Sequence, residues 1–212
     1  MKNLNCIIIS FFILISSFVS SNLQSNINNS IAVKVGASLI TTIDIQNEII
    51  TNLIIRKEEI NQENINKNKN YAVKNLINKA IKKNEINKYK VTNFSEKDLQ
   101  NYITNITKKF NTDKNGLREI FTKYGVSFEE FEKNYEIELL WNTLIYQLYK
   151  NQTNVNILEI DIEVKKIKEN YNEEELTKIR KDILNKKKID KLNLFSRSHF
   201  SNLENNVVIK FL

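Results

Sequence analysis

The sequence predicts a mostly α fold: a multi-helix body with one small antiparallel sheet that joins an N-terminal hairpin to a C-terminal strand. Three observations carry this. Apolar residues recur at helical spacing from about residue 42 to 200, with Ser, Thr or Asn ahead of several of the runs. β-prone runs occur only near Ile31–Thr41 and at Val207–Leu212. Proline is absent, and Gly36, Gly116 and Gly125 are the only glycines, so little interrupts the helices.

The chain opens with a segment that reads as a signal for export. Lys2 gives a positive start, Cys6 to Val19 an apolar run, and Val19-Ser20-Ser21 the small residues of a cleavage site. The run is shorter than the roughly 20 apolar residues that span a bilayer, so cleavage after about residue 21 is expected, with no stable membrane insertion afterwards. Residues 22 to 30 are polar and Asn-rich and read as a leader. Residues 31 to 212 then form one domain.

Within that domain Ile31-Ala32-Val33-Lys34-Val35 and Leu39-Ile40-Thr41 flank Gly36-Ala37-Ser38, the pattern of a hairpin with glycine at its turn. Thr41 and Asp44 form a capping box for a helix over 42–57 that turns Ile45, Ile49, Ile50 and Leu53 inward. Ile60 to Lys69, rich in Asn, Lys, Glu and Gln, reads as a loop. Ala72, Val73, Leu76, Ile77, Ala80 and Ile81 then mark a second helix.

Ser95 opens a third helix with Leu99, Tyr102, Ile103 and Ile106 on one stripe. Leu117, Ile120, Phe121 and Tyr124 form a short fourth one, ending at Gly125 where a left-handed residue is favoured. Ser127 and Glu130 match a capping box for the long helix that runs to about Lys150. Another helix follows Asn156, and Asn172 with Glu175 caps the last, through Leu176, Ile183, Leu192 and Phe200. A hairpin and a lone strand are each marginal in water, so Val207–Leu212 is expected to add to the hairpin.

Composition narrows the function. The only cysteine, Cys6, lies in the export signal, which leaves the mature chain no thiol for a disulfide, a metal or nucleophilic catalysis. Scattered glycines build no phosphate loop, and no cluster of His, Asp and Glu has metal-ligand spacing, so no cofactor is expected. His199 is the single histidine, and a packed or solvent-facing role suits it better than catalysis. The formal charge of +7 becomes +6 once Lys2 is removed, but basic and acidic residues interleave, which argues against nucleic acid as a partner.

Aromatic residues are the one concentrated resource. Phe121, Tyr124, Phe128, Phe131, Tyr135 and Trp141 fall within one stretch, more than one face of a helix pair buries. Most belong to the core. Some are expected to line an apolar groove rimmed by charge, able to hold an extended segment of another chain.

The order of elements resembles the N-terminal, chaperone-core domain of the SurA-type periplasmic chaperones. The residues that carry the likeness are Ile31–Gly36 with Leu39–Ile45, Ala72–Ile77 and, most strongly, Leu117-Arg118-Glu119-Ile120-Phe121-Thr122-Lys123-Tyr124-Gly125-Val126-Ser127-Phe128-Glu129-Glu130-Phe131. Family members often carry parvulin-type prolyl isomerase domains after this region. A domain of about a hundred residues has no room between Val164 and the final helix, so the chain looks like the core without the isomerase. The resemblance implies an ATP-independent holdase for unfolded outer-membrane proteins, whose strands alternate aromatic and polar residues. An adaptor of the same fold with one dedicated partner is the alternative, and weak homodimer formation through the apolar surface is left open.

Overall fold

The computed structural model describes residues 29–212; the expected export signal and residues 22 to 28 of the leader lie outside the described residues. Strands β1 (Ile31–Val35) and β2 (Ser38–Thr41) pair antiparallel around Gly36, whose φ of 56° is left-handed. Strand β3 (Ile209–Phe211) lies on the other side of β1, giving the order β2-β1-β3. Val33 faces Phe211 and Val35 faces Ile209 across that pair. The chain's two β-prone regions thus meet in one sheet, as their separate weakness requires. β3 is shorter than the run that suggested it, because Val207 still serves as the cap of the preceding helix.

Helix α1 (Thr42–Arg56) starts at the capping box, with Thr41 accepting from the Asp44 amide and Asp44 accepting from the Thr41 amide. It buries Ile45, Ile49, Ile50, Leu53 and Ile54, and with them Glu48. The segment expected as a loop over 60–69 is instead helical: α2 runs from Gln62 to Lys88. Asn61 caps it by accepting from the Asn64 amide, and one turn on Glu63 pairs with Lys67 at 2.6 Å. Asn68 is buried, donating to the Asn64 carbonyl and accepting from Arg56 on α1. Side-chain bonds along the helix and one to α1, which apolar periodicity does not register, hold this polar stretch.

Helices α3 (Glu96–Phe110), α4 (Lys114–Lys123) and α5 (Phe128–Tyr149) follow, capped by Ser95, Asp113 and Ser127. The box expected at Ser127 is half formed: its oxygen accepts from the Glu130 amide, but its hydroxyl donates to Glu129. Gly125, at φ 72°, turns the chain between α4 and α5 and brings Phe128 back onto Phe121 at 5.6 Å. After one 3-10 turn comes α6 (Ile157–Lys165), and after another the long α7 (Glu173–Asn206), with Asn172 and Glu175 forming the expected box.

Three clusters make up the core. One joins α1, α3, α4 and α5 through Ile54, Ile103, Leu117, Phe121 and Phe128. A second packs β1 and β2 on α1 and α2 through Val33, Val35, Ile40, Leu53 and Ala72. The third packs Ile86, Trp141 and Leu144 against Leu192, Phe200 and Leu203 of α7, which ties the last helix to the body. Among the described residues no helix is long and apolar enough to cross a membrane.

Candidate functional site

Helices α1, α2, α3 and α5 leave a groove of about 310 Å³ between them. Tyr102, from the stripe of α3, and Tyr135, one turn beyond Phe131 on α5, stack with ring centroids 3.5 Å apart and planes 3° from parallel. Phe131 supports the stack, 5.9 Å from Tyr102, and Tyr71 of α2 stands at the rim under the Arg56 guanidinium. Aromatic faces therefore meet a polar border, the composition of a surface that holds apolar side chains without demanding one sequence.

Below the rings lies a buried carboxylate. Glu48 accepts from Lys79 at 2.7 Å and from Asn52 and Asn75 at 3.3 Å each. Burial pushes the Tyr102 hydroxyl up to about 12, with Tyr135 and Glu48 adding to the rise. Tyr135 is raised for the same first reason, helped by Asp98 and Glu138. Both rings are neutral at physiological pH and present apolar faces with hydroxyl donors.

The six aromatic residues singled out from the sequence divide. Phe131 and Tyr135 line the groove. Phe121, Phe128 and Trp141 are 0, 1 and 2% exposed and have no surface to offer a ligand in this conformation. The Gly125 turn explains the first two, since it folds their rings face to edge inside the α4–α5 angle. Trp141 is held by α7, where its indole N–H donates to Ser196 Oγ at 2.8 Å. Tyr124 is 42% exposed, beside Lys123 and outside the groove. Tyr102, Tyr71 and Glu48 also belong to the groove, and the aromatic stretch does not point to them. Tyr102 shares a stripe with core residues, and Glu48 is a lone carboxylate on the inward face of α1; that second fact was the available signal.

His199 is packed. Its Nδ1 lies 2.7 Å from the Tyr149 hydroxyl and its Nε2 3.2 Å from Glu85, which Lys88 also pairs. The Tyr149 hydroxyl is raised, by burial first and then by Tyr89 and Glu85, so it keeps its proton. The chain of bonds links α5, α7 and α2. No group of three or more His, Cys, Asp or Glu residues among the described residues could hold a metal ion.

Residues 1–145 match the family model described as the SurA-like N-terminal domain. The chain belongs to this family. The SurA-like match ends within α5, so it contains the groove and the first strands and helices, while α6, α7 and β3 lie beyond it. No curated protein matches the chain. Membership gives a relationship to chaperones through a chaperone-type, non-catalytic domain of a periplasmic family.

Proposed function

We propose that the protein is an ATP-independent periplasmic holdase that binds unfolded outer-membrane proteins through the groove between α1, α2, α3 and α5. The stacked Tyr102 and Tyr135 at a charged rim carry the reading. Unfolded outer-membrane strands expose an aromatic or aliphatic side chain at every second residue, and a groove of about 310 Å³ takes such side chains a few at a time. Contacts of this kind are weak singly and tolerant of sequence, which suits holding and requires no chemistry. Residues 1–21 direct the chain to the periplasm, and residues 31–212 form the working domain.

The test is the aggregation of a urea-unfolded outer-membrane protein on dilution, followed by light scattering with the purified mature chain. Suppression that Tyr102→Ala/Tyr135→Ala weakens is the expected result. No suppression at several-fold excess sinks the reading.

A second reading, an adaptor with one dedicated partner, is favoured by a different surface. Leu158 and Ile162 of α6 are 69 and 57% exposed, an apolar strip away from the groove. Recovery of one stoichiometric partner from periplasmic crosslinking, with no binding to a varied peptide panel, would replace the first reading by this one.

A further inference from the structure

Strand β3 is an edge. Gly36 donates to the Val208 carbonyl and Leu212 to the Ala32 carbonyl, both at 3.0 Å, so the even-numbered residues of this stretch bond toward β1. The antiparallel ladder then turns the N–H and C=O groups of Ile209 and Phe211 the other way, where nothing among the described residues pairs with them. Their side chains, on the same face as Val33 and Val35, border a second groove of about 580 Å³ between the sheet and α2. Its apolar lining includes Val33, Ile45, Val73 and Ile77, and Phe211 remains 71% exposed beside it. Asn78 lines the same groove and has a buried Oδ1 with no hydrogen-bond partner among the described residues.

Charge selects what fits. On the outer face Lys210 stands directly opposite Lys34, and on the groove side Lys69 and Lys74 rise from α2. None of the four makes an ion pair among the described residues, and Glu204 is the only acidic residue in the lining. A second copy of the chain pairing β3 with β3 in its fullest antiparallel register sets Lys210 against Lys210, which is unfavourable. A strand with carboxylates at the outward positions and apolar side chains at the inward ones relieves the Lys34–Lys210 repulsion and fills the groove.

We infer that the free edge of β3 takes up an extended polypeptide segment of alternating acidic and apolar residues as a fourth strand, its apolar side chains entering the groove against α2. The class of partner rests on the polypeptide-binding reading above, but the surface and the mode are separate: main-chain pairing in place of aromatic contact.

The test uses the mature chain and a short, capped peptide alternating glutamate with valine and phenylalanine. Binding is read by fluorescence anisotropy, and the site by NMR amide exchange. The expected result is slowed exchange at Ile209 and Phe211 on binding, and a loss of about tenfold in affinity when the peptide's pairing amides are N-methylated. Lys210→Glu is expected to weaken this peptide about threefold and to favour a version with lysine in place of glutamate. Equal binding of the methylated peptide, or no protection at Ile209 and Phe211, overturns the inference. If the peptide instead perturbs Tyr102 and Tyr135 alone, the holdase reading stands and this one falls; protection at β3 with no effect on client aggregation is the reverse. Protection that appears without peptide and grows with protein concentration assigns the edge to a second copy, and also overturns it.

Discussion

Tyr102 and Tyr135, 33 residues apart in the sequence, lie ring on ring at 3.5 Å, and burial, with charged neighbours adding to it, makes it costly for either to ionise. Tyr102 is the more affected. Its hydroxyl ordinarily loses its proton near 10 and here does so at about 12. A folded-state value above the unfolded one means that the stabilisation is complete below pH 10 and disappears as pH rises toward 12. Urea midpoints should therefore fall over that interval. Replacing Tyr135 by Leu removes one source of repulsion, so Tyr102 should titrate lower. Because there are eight tyrosines, ring-carbon NMR rather than absorbance must resolve the site. An unchanged Tyr102 titration in Tyr135→Leu would show that burial and Glu48 set it without Tyr135.

The ion pair beneath the rings is a test of what holds the groove's floor. Glu48 is buried and Lys79 nearly so, at 2.7 Å. Lys79→Met leaves a desolvated carboxylate with only Asn52 and Asn75 as donors, and should cost about 3 kcal/mol of unfolding free energy. Changing both residues, as Glu48→Leu/Lys79→Met, removes the stranded charge and should cost less than Lys79→Met alone. Urea denaturation of the two variants decides it; a double variant less stable than the single one contradicts the account.

The contrast between Phe121 and Tyr124 measures how the aromatic stretch is divided. Phe121 is fully buried against Phe128 and Phe131, so Phe121→Ala should cost about 4 kcal/mol. Tyr124→Ala, at an exposed ring, should change stability by less than about 0.5 kcal/mol. Comparable losses at both positions would mean that Tyr124 packs in solution.

These residues also show how far the sequence could be read. Local signals were legible: Thr41 with Asp44 and Asn172 with Glu175 cap their helices as their spacing implies, and Gly36 and Gly125 take the left-handed turns. The sheet was legible because neither β-prone end could stand by itself. What escaped depends on partners far away in the chain. Gln62 to Lys69 looks like a loop until Asn68 meets Arg56, and Tyr102 looks like core until α5 brings Tyr135 over it. Periodicity gives the face of a helix but not what the opposing helix leaves uncovered. For that reason two of the six aromatic candidates, Phe131 and Tyr135, line the groove, while Phe121, Phe128 and Trp141 are enclosed.

The attachment of α7 offers the last test. Trp141 is the only tryptophan, and it reports on α7 directly: Ser196 accepts from its indole N–H, and the rings of His199 and Phe200 lie at 5.6 and 6.1 Å. Ser196→Ala leaves a buried donor unpaired and should cost about 2 kcal/mol. The way in which that loss appears matters more than its size. α7 touches the body through the Trp141 cluster, the Trp141–Ser196 and Tyr149–His199–Glu85 bonds, and the reach of Phe200 and Leu203 onto the sheet cluster, while α1 to α5 are joined mainly by the two larger clusters. Weakening the α7 contact should therefore let that helix, and β3 beyond it, come away before the rest unfolds. In His199→Ala/Ser196→Ala, Trp141 emission should shift to the red at lower urea than the loss of helical circular dichroism, whereas in the parent the two curves should coincide. Coincident curves in the variant would mean that α7 and the body unfold as one unit, and that the cooperativity of the fold runs through β1 and β3 as strongly as through Trp141.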